Sequence, residues 1–151
     1  MTGQIIAAVI GTIAFSVVFI VPAKYYLYCG LIGGAGWAVL SLSMNSLGEG
    51  LSTMLAAMTV LFLSRLTAVI KRCPATIFLV AGILPLVPGV GVYKTAYYAA
   101  AGELGRAAAT GYIALKDSIA IVLGIALVFE IPQKLFNGIG RPLTKRVEDH
   151  D

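Results

Sequence analysis

The chain has few charged residues for its length. Asp, Glu, Lys and Arg make up 12% of its 151 residues, whereas an ordinary soluble domain carries about 25%. Hydrophobic residues account for 59% of the chain and lie in runs long enough to cross a bilayer. These features exclude a soluble globular domain. They predict an all-α integral membrane protein, because helices satisfy their own backbone hydrogen bonds in lipid.

The sequence is also poor in residues that support catalysis, metal binding or redox chemistry. Its single histidine, His150, lies in a polar stretch, and Cys29 and Cys73 are too far apart for a CxxC motif. No GxxxxGK[ST], HExxH or GxSxG motif occurs. We therefore expect no enzyme activity, no metal and no cofactor. The net charge of +4 does not indicate nucleic-acid binding, because the basic residues flank apolar runs instead of forming one face.

The apolar runs predict about five transmembrane helices within a transmembrane domain at residues 1–132. The predicted spans are Ile5–Val21, Leu27–Met44, Leu51–Ile70, Ala75–Ala101 and Ala107–Ile131. Residues 133–151 form a short charged tail. Eight of the 11 Lys and Arg residues fall on the side of this tail. We expect a plasma-membrane protein, and the positive-inside rule predicts that its N-terminus lies outside and its C-terminus in the cytoplasm.

The fourth predicted span is broken between Pro85 and Gly89. Because a proline has no N–H, the carbonyls of Ala81 and Leu84 lose their helical donors. Transporters often build substrate sites from such interrupted helices. The alternative is a packed proline kink without a ligand. If the break is a site, the freed carbonyls are candidates for an ammonium group and the amides beyond Gly89 for a carboxylate. The candidate substrate-binding residues are Ala81, Leu84, Pro85, Pro88, Gly89, Gly91, Tyr93 and Lys94.

Two further features stand out in the predicted spans. Lys116 and Asp117 place opposite charges in the fifth span, where charge is costly unless it is paired or hydrated. Asp117 is a candidate for coupling-proton transfer; alternatively, this helix starts later and the pair lies at the interface. In the second span, Gly30, Gly33 and Gly34 form a smooth face suited to close helix packing.

The broken stretch also carries a family resemblance. Pro74 before an apolar run, followed by Ile83-Leu-Pro85-Leu-Val-Pro88-Gly89 and Tyr93, resembles the small subunit of the threonine/serine exporter family over residues 1–135. The resemblance implies a membrane subunit of a secondary exporter of small amino acids, acting in the lipid bilayer with a larger partner subunit, as a homo-oligomer, or both. Some relatives are assigned to dicarboxylates such as succinate. A non-transporting assembly subunit, docking through the glycine face, is a further alternative.

Overall fold

The computed structural model describes residues 2–136 and 138, and helices dominate this part of the chain. The helices are α1 (Thr2–Val18), α2 (Tyr26–Leu47), α3 (Glu49–Lys71), α4 (Thr76–Ile83), α5 (Gly89–Ala100) and α6 (Leu104–Phe129). No strand occurs among these residues. The all-α prediction is confirmed, and the ends of the predicted spans lie within three residues of the observed helix ends.

Helix α3 is the centre of the bundle. It packs against α2, α4 and α6. Small residues on α3 allow this close packing, since Ala56, Ala57 and Val60 are fully buried. The main core lies between α2, α3 and α4, where the rings of Tyr25 and Phe78 meet edge to face with centroids 5.4 Å apart.

Contacts between helices fix their relative directions. Helices α2 and α4 run parallel, because Tyr25 meets Phe78 at one end and Gly36 approaches Leu86 further along. Helices α3 and α6 also run parallel, from the Glu49–Lys116 pair onward. Helices α5 and α6 are antiparallel, since Gly91 meets Ala114 whereas Thr95 bonds Thr110. Successive spans of a membrane protein cross the bilayer in opposite directions. If α4 and α5 form one span, this alternation gives the helix directions that the contacts show.

The length and hydropathy of the helices agree with a membrane protein. Three helices are each long and apolar enough to cross a membrane: α3, α6, and α2 together with the turn that precedes it. Helices α4 and α5 pass the same test together and form a fourth candidate span, bent by 51°. Helix α1 is apolar but shorter, with 17 residues. Most of the predicted tail, residues 137 and 139–151, lies outside the described residues.

Candidate functional site

The helix break is built from two tight turns. A 3₁₀ turn at Leu84–Leu86 ends α4, and Val87 is extended (ψ 129°). Pro88 (φ −75°, ψ 53°) has the conformation of an inverse γ-turn, in which the Gly89 N–H donates to the Val87 carbonyl at 2.7 Å. The Leu84 carbonyl accepts the Val87 N–H at 3.1 Å. One of the carbonyls that the prolines freed from helical bonding therefore already has a partner.

The amino end of α5 has backbone N–H groups that make no backbone hydrogen bond. Pro88 is its N-cap residue and provides no side-chain acceptor. The Val92 N–H donates to the Pro88 carbonyl at 3.0 Å. Among the described residues, the amides of Val90 and Gly91 have no backbone acceptor. A Cβ added at Gly89 would meet nothing within 4 Å, so the space beside these donors is open.

A mostly apolar cavity lies beside Pro85, where the break begins. It has a volume of about 300 Å³ and is lined by α1, Trp37 and Pro85. The indole Nε1 of Trp37 is buried and has no hydrogen-bond acceptor among the described residues. The sequence gives no sign of this unused donor, because Trp37 is one large side chain among many apolar ones in the second span.

Lys116 and Asp117 lie near the middle of α6, so the alternative of a later helix start is wrong. The Lys116 Nζ pairs with the Glu49 Oε2 at 3.6 Å, at the amino end of α3. The stem of Lys116 lies over Gly50, whose added Cβ would contact it at 3.7 Å. Asp117 is 8% exposed, and its Oδ1 has no hydrogen-bond partner among the described residues.

The antiparallel packing of α5 on α6 brings the break and the charged pair to the same level. The Gly91–Ala114 and Thr95–Thr110 contacts define the register of the two helices. Continuing this register by one turn places Pro88 level with Asp117. The first half of α6 packs on α5, and its second half packs on α3. Asp117 therefore lies where α6 passes from one neighbour to the other.

The remaining candidate residues lie apart from this junction. Ala81 is fully buried in the main core. Tyr93 and Lys94 are exposed on α5, and the Tyr93 ring stacks on Tyr97 with centroids 6.4 Å apart. The structure does not bring these three side chains together.

The glycine face of α2 lies against α1 of the same chain. A Cβ at Gly30 would lie 2.8 Å from Ile13 Cγ1, one at Gly34 would lie 2.5 Å from Val9 Cγ2, and one at Gly33 would overlap Thr12. This face is therefore covered within the chain. The close helix packing predicted for these glycines is thus made by α1 of the same chain, and docking of a second subunit through this face stays a prediction.

Arg65 lies near the end of α3, where a long basic side chain commonly extends to the aqueous interface. Instead it is buried, donating from Nη1 to the Val128 carbonyl at 2.6 Å and from Nη2 to the Gln133 Oε1 at 2.7 Å. Its guanidinium also lies 4.4 Å from the Phe136 ring centroid. The last carbonyls of a helix attract a cation, and α6 ends beside Arg65 only because α3 and α6 run parallel.

Comparison with known proteins identifies the chain's relatives. Residues 4–131 match the family described as Threonine/Serine exporter, ThrE. A relative from Mycobacterium tuberculosis (strain ATCC 25618 / H37Rv), named probable threonine/serine exporter, is 26% identical over 136 residues. That alignment covers 89% of this chain and 26% of the relative, so the chain spans about a quarter of the relative's length. No solved structure matches. Because the family match extends over all six helices, the chain belongs to the threonine/serine exporter family.

Proposed function

We propose that the chain is the membrane part of a secondary exporter of small amino acids, with its substrate site at the break between α4 and α5. One observation carries this proposal. Two buried side-chain atoms lack hydrogen-bond partners among the described residues, Trp37 Nε1 and Asp117 Oδ1. Trp37 lines a cavity with Pro85, and Asp117 is level with Pro88. Buried polar groups are nearly always satisfied in proteins, so unused groups at both ends of the break favour a polar ligand.

The amino end of α5 supports binding of the substrate carboxylate. Two amides there, of Val90 and Gly91, have no backbone acceptor within the described chain. Unpaired amides and the helix dipole together favour an anion at a helix amino end. The open space beside Gly89 gives a small ligand access to them. In this proposal Gly89 keeps a side chain away from the donors, whereas Gly91 allows α5 to pack closely on Ala114 of α6.

The charges near the break favour an amino acid over a dicarboxylate. Glu49 and Asp117 carry two negative charges, and Lys116 is already paired with Glu49. A second carboxylate on the ligand would meet this net negative charge, whereas the lysine of α5, Lys94, is exposed and lies apart from the junction. An amino acid, which carries one positive and one negative group, matches both the amides and the carboxylates.

The transport complex includes more than this chain in our proposal. Because the chain spans about a quarter of its relative, we propose that a larger subunit or additional copies complete the pathway. We also place it in the plasma membrane with the N-terminus outside, as the distribution of Lys and Arg indicates. Transport by the larger subunit alone, at the full rate of the complex, would instead favour an assembly role.

A pair of glycine substitutions tests the site. Gly89→Leu should fill the space beside the unused amides and lower export of threonine at least tenfold. Gly105→Leu is the matched control, because Gly105 lies in the first turn of α6 and a Cβ there also meets nothing within 4 Å. Export should be measured per amount of protein in the membrane. Near-normal export by Gly89→Leu would leave the break as a packing kink and contradict the proposal.

A further inference from the structure

We propose that Asp117 receives the ammonium group of the exported amino acid and thereby selects amino acids over other small acids. This inference rests on the proposed exporter function and assigns a residue to substrate selection. Asp117 is 8% exposed, and the carboxylate oxygen Oδ1 has no hydrogen-bond partner among the described residues. Burying a carboxylate without a partner costs several kcal/mol of folding free energy. A positively charged ligand that binds during the transport cycle would explain why Asp117 is buried at this position.

Two hydroxyl donors at the amino end of α3, Ser52 and Thr53, are already used within the protein. Helix α3 packs against α6, the helix that carries Asp117. The Ser52 hydroxyl donates to the Gly48 carbonyl at 2.7 Å, and the Thr53 hydroxyl donates to the Glu49 carbonyl at 2.9 Å. Lys116 directs its ammonium to Glu49. A hydrogen-bond donor for the Asp117 Oδ1 must therefore come from a group other than Ser52, Thr53 and Lys116.

The charge balance determines the sign of the missing partner. Glu49 and Lys116 are the charged groups that act on Asp117. With Glu49 neutralised by Lys116, Asp117 leaves one negative charge without a counterion. A cation is required, and a primary ammonium provides both the charge and up to three hydrogen-bond donors. A metal ion fits poorly, because the described residues contain no group of three or more His, Cys, Asp or Glu side chains that could hold one.

The position of Asp117 relative to α5 favours an ammonium that is attached to a carboxylate. The register of α5 on α6 sets the amides of Val90 and Gly91 about one helical turn, roughly 5 Å along the axis, from the level of Asp117. In an α-amino acid the ammonium and the carboxylate are bonded to the same carbon, so one ligand between α5 and α6 offers both groups at nearly the same level. A free proton or metal ion would satisfy Asp117 alone and leave the α5 amides unused.

Selectivity between two matched ligands tests this assignment. The ligands are threonine and 2,3-dihydroxybutanoate, in which a hydroxyl replaces the ammonium. Export of each is measured in cells that carry the complete transport complex with native or Asp117→Asn protein. Native protein should prefer threonine. Asp117→Asn should lower threonine export about 100-fold and leave export of the hydroxy acid unchanged or increased, because only the ammonium needs the carboxylate.

A control and alternative outcomes make the result decisive. Glu103→Gln removes the same charge from an exposed ion pair with Arg106 and should change neither rate by more than twofold. An equal loss of both ligands in Asp117→Asn would show a coupling or structural role and overturn the assignment. Native protein that exports neither ligand would instead refute the proposed function itself.

A second measurement covers the case in which the Asn variant fails to insert. A carbodiimide that reacts with carboxyl groups in apolar surroundings is applied to the native complex, and modification of Asp117 is followed by mass spectrometry. Threonine should protect Asp117, whereas the hydroxy acid should not. Equal protection by both ligands, or by neither, would contradict an ammonium site at Asp117.

Discussion

A single methyl group added at Gly124 should weaken the contact between α3 and α6. A Cβ there would lie 2.5 Å from the Met54 carbonyl oxygen and 3.2 Å from the Ala57 Cβ. Ordinary contact starts at 3.4 Å, so the helices would have to separate by about 0.9 Å to reach it. The Met54 oxygen belongs to the backbone of α3 and cannot move by rotating a side chain. Gly124→Ala therefore forces a shift between two central helices.

The size of the effect follows from a comparison with Gly11→Ala. Gly11 lies inside α1, and a Cβ there meets nothing within 4 Å. Both substitutions gain up to about 1 kcal/mol of helix propensity, so this gain cancels between them. Overpacking in a filled interior costs about 1–3 kcal/mol. For a chain of this size the difference corresponds to roughly 2–12 °C in melting temperature.

Thermal unfolding of the purified protein in one detergent measures this difference. Gly11→Ala should melt at or above the temperature of the native protein, and Gly124→Ala should melt below it. Both should reach the membrane at native levels, because insertion depends on the hydropathy of the spans, which one methyl group hardly changes. Equal melting temperatures for the two variants would refute close backbone packing of α6 on α3.

Two further predictions concern other contacts, and a third concerns the orientation that the Lys and Arg residues indicate. Gly34→Leu should weaken the packing of α1 on α2, because Val9 lies 2.5 Å from the added Cβ. The yield of a crosslink between the two helices should fall, and an unchanged yield would contradict this packing. Arg65→Met should release the segment that begins at Gln133, because its bridge to Val128 and Gln133 is lost. Hydrogen exchange of residues 129–136 should accelerate, whereas unaltered exchange would show that Arg65 does not hold them. A reporter active only in the cytoplasm should work after the last residue and be silent at Gly48; the reverse pattern would refute the predicted orientation.

The sequence by itself determined where the helices lie and where one of them is broken. Long apolar runs define helices because lipid offers the backbone no other hydrogen-bond partner, and the helix ends lie within three residues of the prediction. Pro85 and Pro88 determine the position of the break, since a missing N–H interrupts a helix wherever it occurs. The family resemblance also resides in this local motif and agrees with the family match over residues 4–131.

Only the tertiary structure decided which distant groups meet. The sequence shows that Gly34 and its neighbours permit close packing, but not that α1 is the helix that packs there. It shows Arg65 and Asp117 as charges in apolar helices, but their surroundings depend on helix direction. Because α3 and α6 run parallel, Arg65 reaches the end of α6. Because α5 and α6 run antiparallel, Asp117 is level with Pro88. Local bonding is encoded residue by residue, whereas these contacts depend on how whole helices pack.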